Sequence, residues 1–421
     1  MPPIDPSRRA VLAGMSGAIA ATALARGAHA TPITAAGERE VHVLVIDGLR
    51  VDEVNPDLMP RLSALDTHGV RYQNADAISI AETLPNHTAM VTGVRPARSG
   101  VPANSIFDRA EQRIRTIDRP ADLAAPTLLE RLPAERGVAT ASVLSKDYLH
   151  GLFHGRASVQ WDPAPLIPLT EHAPDQATMD ALLRIHADHA PRFTFTNLGD
   201  VDRVGHIDLT GTGLRLARAA AVRNTDLQVQ RFIDHLRQSG RWNRSVVIIT
   251  ADHSMDWSAP LSLISMQVPF MLDPVLRDNV QIADNGGASL WYWTGDPGQR
   301  GDAIERMRRI ASPHPGIESL REPSELELGD RAGDVVALCH AGWRFTDPTV
   351  LSNPIPGNHG HAVTTPIPMI VTGGDPRLRR GATVSTPVST MDIAPTVAGL
   401  FGLSAPPGGW DGSPFPALLQ D

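Results

Sequence analysis

The chain has 421 residues, 42% of them hydrophobic, enough for a large buried core in one big domain or in a core with an insertion. Its net charge of −8 argues against a general nucleic-acid-binding surface, so no stable nucleic-acid complex is expected. A single cysteine, Cys339, excludes an intramolecular disulfide, and its strand-like surroundings over 334–339 read as those of a small core residue.

The first thirty residues read as a targeting segment rather than as fold. Ser7-Arg8-Arg9-Ala10-Val11-Leu12 opens it, an Ala/Gly-rich apolar run follows, and Ala28-His29-Ala30 closes it. This is the layout of a bacterial export signal with a small-residue cleavage site, and the Arg pair resembles a twin-arginine signal. The apolar run is too short and too poor in Leu and Ile for a membrane span. The expected location is periplasmic or extracellular, with no membrane anchor after cleavage.

From residue 31 onward strands and helices alternate. Apolar runs at 41–46, 138–144, 193–198, 245–250 and 367–372 read as buried strands of a mostly parallel sheet. Between them, 126–132 and 213–238 carry helical patterns, the second with Leu227, Phe232, Ile233 and Leu236 assigned to its apolar side. The fold class is therefore α/β, a mostly parallel central sheet sandwiched by helices. Residues 256–345 differ, with Pro and Gly breaks, an Asn285-Gly286-Gly287 turn, a Trp291-Tyr292-Trp293 strand and an Arg-rich helix at 302–311. They read as a small α+β insertion covering a site, so the core comprises 31–255 and 346–421. The aromatic triplet suits sheet packing better than base stacking.

Four separated segments place acid or imidazole groups at or after strand ends: Asp47, the pair Asp202 and His206, Asp252-His253, and Gly357-Asn358-His359-Gly360-His361, where His359 and His361 compete. In an open α/β sheet such ends meet in one crevice. Asp202 and His206, four apart, share a helix face. Asp200 competes with Asp202, but only Asp202 keeps the Asp-x-x-x-His spacing. Asp256 belongs to no motif and reads as a solvated loop residue. A lone Asp-His pair is usually a loop or a cap; four such fragments beside Thr83-Leu84-Pro85-Asn86-His87 are hard to explain by chance.

These residues carry a resemblance to the alkaline phosphatase superfamily, within it to the type I phosphodiesterase/nucleotide pyrophosphatase branch. It rests on Thr83 to His87, Val91-Thr92-Gly93, Gly100-Val101 to Asn104, Asp252-His253, Gly357 to Gly360 and Met391-Asp392-Ile393-Ala394-Pro395-Thr396. The resemblance implies two divalent ions, Zn²⁺ above all, one held by Asp47, Thr83, Asp252 and His253 and the other by Asp202, His206 and His359. It picks His359 over His361 and leaves His87 to packing or hydrogen bonding within its helix. Oxygen and imidazole donors without thiolate suit Zn²⁺ better than Mn²⁺ or Mg²⁺.

The implied activity is hydrolysis of a small phosphate ester or nucleotide through a phosphothreonine on Thr83. Asn104 would contact the phosphate, and the N–H groups of the helix that Thr83 opens would face it. A phosphomonoesterase or phosphonate hydrolase shares this core. A sulfatase would need a modified Cys or Ser where Thr83 stands. A non-catalytic secreted metal-binding protein would be expected to lack a ligand or the nucleophile, and neither is missing.

Overall fold

Three neighbouring strands end at the same level, and that register decides where the chemistry sits. The computed structural model describes residues 38–164, 166–167, 172–349, 352 and 354–420; the export signal expected over 1–30 lies outside them. The strands are β1 (Glu40–Ile46), β2 (Val70–Tyr72), β3 (Thr140–Val143), β4 (Val159–Trp161), β5 (Phe193–Leu198) and β6 (Ser245–Thr250). Then come β7 (Val280–Asn285), β8 (Ala288–Trp293), β9 (Ile317–Arg321) and β10 (Val335–Cys339), and finally β11 (Met369–Gly373) and β12 (Ala382–Val384).

Eight of these form the main sheet, in the order β12-β2-β11-β6-β1-β5-β3-β4. The run β6-β1-β5-β3-β4 is parallel throughout, and β11 is antiparallel to both of its neighbours. β1, β5 and β6 are buried along their whole length, which is why they read as unbroken apolar runs rather than alternating ones. Ile46 is level with Leu198, and Val45 with Thr250, so the residues that follow all emerge at one edge.

The helices that matter here are α1 (Pro60–His68), α2 (Thr83–Thr92), α3 (Asp175–His189), α4 (Asp200–Ile207), α5 (Leu216–Gln238), α6 (Arg300–Ala311) and α7 (Ile393–Phe401). On α5 the buried stripe is Val222, Val229, Phe232, Ile233 and Leu236, at helical spacing. Leu227, expected on that side, is 44% exposed. It lies two residues from Val229, about 200° round the helix, which carries it to the far face.

Between β6 and β11 the chain builds a second, antiparallel sheet in the order β7-β8-β10-β9. Phe270, Trp291, Trp293, Met307 and Phe345 form an apolar cluster of its own there, with Cys339 buried among them as a core residue. Trp291, Tyr292 and Trp293 are all buried, so the triplet packs. Among the described residues no helix is long and apolar enough to cross a membrane.

Candidate metal centre

β1 delivers Asp47 to the crevice, β6 delivers Asp252 and His253, and α4, directly after β5, delivers Asp202 and His206. Gly48 makes this convergence possible. Its φ is +72°, and a Cβ there would meet Asp202 Cα at 3.2 Å, so β1 and α4 approach closely only around a glycine. Arg218, fully buried on α5, ties the same two pieces together. Its Nη2 donates to the Gly48 carbonyl (2.6 Å), its Nη1 to the Val201 carbonyl (2.9 Å), and Glu53 neutralises it.

Each imidazole is aimed by a backbone carbonyl. His206 Nδ1 meets Gly357 O at 2.7 Å, His253 Nδ1 meets Ser254 O at 2.8 Å, and His359 Nδ1 meets Ala81 O at 3.2 Å. A carbonyl only accepts, so Nδ1 carries the hydrogen and Nε2 is left to face the crevice. Burial lowers the pKa of His253 and His359, which keeps both rings neutral. His206 Nε2 and His359 Nε2 lie 3.2 Å apart, with Asp202 Oδ1 at 3.3 and 3.8 Å. His253 Nε2 faces Asp252 Oδ2 at 3.3 Å, Asp47 Oδ1 at 3.6 Å and the Thr83 hydroxyl at 3.3 Å.

These are acceptors pointing at acceptors. Asp202 Oδ1 and Asp252 Oδ2 are buried without a hydrogen-bond donor. Burial, reinforced by the neighbouring Asp47 charge, pushes the Asp252 carboxyl up to about 7. A buried cluster of this kind is costly unless a cation completes it. The donor atoms of Asp202, His206 and His359 lie within 4.8 Å of one another, as do those of Asp47, Asp202 and His253. The set therefore fits divalent metal ions, with oxygen and imidazole donors and no thiolate.

One cation in the cluster was not anticipated from the sequence. Lys146, two residues past the apolar run of β3 and fully buried, places Nζ 2.7 Å from Asp47 Oδ1, 2.7 Å from Asp202 Oδ2 and 3.4 Å from Thr83 Oγ. Burial opposes its charge, but Asp202 and Asp47 outweigh it and hold the ammonium protonated. A lysine after a buried strand was the available signal, the same one that flagged Asp47.

Thr83 is the first residue of α2. The expectation that several helix N–H groups face an anion needs correcting. The Leu84 amide donates to Asn104 Oδ1 (2.8 Å), Pro85 has none, and the Asn86 amide donates to Glu82 O (3.2 Å). Only the amide of Thr83 itself is left in that turn. The Leu84 bond in turn fixes Asn104, because an amide whose oxygen is held presents its NH₂ the other way. Glu82 accepts the Asn104 amide at 2.8 Å, closing a clamp across the two segments.

His87 packs as expected. Its Nδ1 donates to Thr83 O (2.9 Å) and its Nε2 accepts from Asn197, which also donates to Asp47 Oδ2 (2.7 Å). Asp200 turns away from the cluster to accept from His172 at 3.0 Å. His361 pairs with Asp256 at 3.0 Å, and Asp256 also accepts the Gly342 amide (2.7 Å), so Asp256 is a paired strand residue and not a solvated loop. The Asn285-Gly286-Gly287 turn of the second sheet sits against this site. Asn285 Oδ1 accepts the Ser105 amide (2.8 Å), and the Gly287 amide donates to His359 O (2.6 Å).

A crevice of carboxylate and imidazole groups that could hold metal ions, with a hydroxyl beside it at the carboxyl edge of a parallel sheet, is a candidate metal-dependent hydrolase site. The profile of the type I phosphodiesterase/nucleotide pyrophosphatase family matches residues 41–361. The chain belongs to that family, and with it to the alkaline phosphatase superfamily, and is a hydrolase of phosphoric ester bonds. Human ectonucleotide pyrophosphatase/phosphodiesterase family member 5 is 22% identical over 88% of this chain and 76% of its own length. The Mus musculus bis(5'-adenosyl)-triphosphatase enpp4 is 23% identical over 89% and 80%. Among solved structures, murine family member 5, as an inactive threonine-to-alanine variant in complex with AMP, aligns with a TM-score of 0.74 at 19% identity, covering 91% of this chain and 100% of its own. Phosphonoacetate hydrolase from Sinorhizobium meliloti, in complex with phosphonoformate, aligns at 0.65 and 18% identity, covering 87% and 95%.

Proposed function

We propose that this protein is an exported two-metal phosphodiesterase or nucleotide pyrophosphatase with Thr83 as its nucleophile and two Zn²⁺ ions as cofactors. The observation that carries the reading is the Thr83 hydroxyl 3.3 Å from His253 Nε2, a ring nitrogen that also faces buried carboxylates of which Asp252 Oδ2 has no donor. Asp47, Thr83, Asp252 and His253 would hold one ion, and Asp202, His206 and His359 the other. The bound ions would supply Lewis-acid charge, lowering the pKa of a nearby hydroxyl and neutralising phosphate oxygens.

The chain's own groups do the rest. Thr83 Oγ forms a bond to phosphorus as the leaving oxygen departs in line, giving a phosphothreonine, and water then cleaves that bond and restores the hydroxyl. Asn104, its oxygen already held by Leu84, turns its NH₂ toward a non-bridging oxygen, and the Thr83 amide supports it. The murine relative's loss of activity when one threonine becomes alanine is what a threonine nucleophile would produce, and its AMP supports a nucleotide as substrate.

Lys146 favours a second reading, a phosphomonoesterase or phosphonate hydrolase. A buried ammonium 3.4 Å from the nucleophile adds a charge that a dianionic phosphoryl group uses better than a monoanionic diester. The test is a rate comparison, with zinc supplied, on a bis-aryl phosphate, an aryl phosphate, a dinucleotide and phosphonoacetate. Preference for the diester or dinucleotide supports the first reading, and preference for the monoester or phosphonate the second. Failure on all four overturns both.

A further inference from the structure

A cavity of about 610 Å³ opens at the opposite end of the main sheet, between α1 and α5. Leu65 and Trp242 line it with apolar surface, and Arg61, His68, Arg237 and Arg380 ring it. No carboxylate is among its lining residues, although the whole chain carries −8. It stands apart from the metal-ligating cluster. Thr372 at its edge is level with Val247 on β6, five residues before Asp252, which places it roughly 16 Å away along the strand.

The three guanidinium groups are loosely held. Arg61 reaches Asp226 at 3.3 Å, and that carboxylate also accepts the Arg61 and Leu62 amides. Arg237 lies 5.0 Å over the Trp242 ring and only 3.7 Å from Asp234, whose Oδ1 is taken by Gln230 at 2.6 Å. Among the described residues Arg380 makes one hydrogen bond, to the Gly373 carbonyl at 3.4 Å. Elsewhere in the molecule a guanidinium given a task sits closer: Arg218 grips Glu53 at 2.6 and 2.7 Å. Arg61 and Arg237 each keep one carboxylate at 3.3 and 3.7 Å, but most donors of the three guanidiniums are unspent and would be met by an anion that enters.

We propose that this cavity is a binding site, separate from the catalytic centre, for a small organic oxyanion. Phosphate or carboxylate oxygens would take the Arg61, Arg237 and Arg380 donors while the body of the ligand lies on Leu65 and Trp242. A volume of this size admits a ligand as large as a nucleotide. The proposal does not depend on the reading of the catalytic centre.

The test is titration of the chelator-treated full-length chain with AMP and, separately, with inorganic pyrophosphate, read by calorimetry and by tryptophan fluorescence. Saturable binding is expected, with the fluorescence change lost in Trp242→Phe. Arg237→Ala with Arg380→Ala should weaken the binding about tenfold or more and leave the zinc-loaded hydrolysis rate within about twofold. The unchanged rate shows that the double variant is folded. AMP bound more tightly than pyrophosphate assigns the apolar floor a part in recognition, and equal affinities assign it to the guanidiniums alone. Absence of saturable binding up to millimolar ligand, or binding that the double variant leaves unchanged, overturns the proposal.

Discussion

The two ends of β1 each carry a buried carboxylate, and the protein treats them in opposite ways. At one end Glu40 is gripped by Arg241 at 2.8 Å and Arg244 at 2.7 Å. Burial raises its pKa, but hydrogen bonds from His42, Arg244 and Arg241 outweigh that and hold it at about 2. At the other end Asp47 meets Lys146 at 2.7 Å, but the neighbouring Asp252 keeps an oxygen without a donor and is pushed up to about 7. The first end is complete as folded. The second is left short of positive charge even with Lys146 present, and a site left short in this way is one built to receive cations.

Variants that separate the two ends sharpen the contrast. Thr83→Ala is expected to cut turnover by about 10³-fold or more with little change in thermal stability, checked by steady-state rates and calorimetry. Asn104→Ala is expected to cost about 10² in kcat by the same assay, if Asn104 is the phosphoryl donor proposed above. Glu40→Gln should do the reverse, lowering stability by about 2 kcal/mol in denaturant titrations while kcat holds. Asp252→Asn should stabilise the metal-free chain by about 1 kcal/mol, because it relieves a crowd of carboxylates, and abolish activity. If Asp252→Asn instead destabilised the metal-free chain as Glu40→Gln does, the two ends would be alike and the comparison would fail.

Acid should tell them apart as well. Glu40 is depressed from its ordinary 4.5 to about 2, so its contribution to stability is present above 4.5 and is lost as pH falls from there toward 2. The wild-type stability curve should therefore steepen over that window, and Glu40→Gln should flatten it.

Much of the site was legible because its residues follow buried strands. Asp47, Asp252 and His253 stand where an apolar run stops, and register does the rest. Asp202 and His206 were legible as a pair on one helix face after the strand over 193–198, and their assignment to one ion is what the family resemblance implies. Lys146 was not, because a lysine after a strand reads as solvated until its carboxylate partners arrive from β1 and α4. Asp256 was misread for the same reason. Its partners His361 and Gly342 lie about a hundred or so residues away in sequence, beyond any local pattern. The helix N–H groups failed differently: pattern shows that a helix begins at Thr83, but not that Asn104 has already taken the Leu84 amide.

Metal content set against turnover tests the central claim most directly. Purified chain stripped with a chelator and reloaded should take up two zinc ions per chain, with hydrolysis falling to background on stripping and returning on reloading. Hydrolysis that continues unchanged in chelator, from a chain that takes up no zinc, would contradict it.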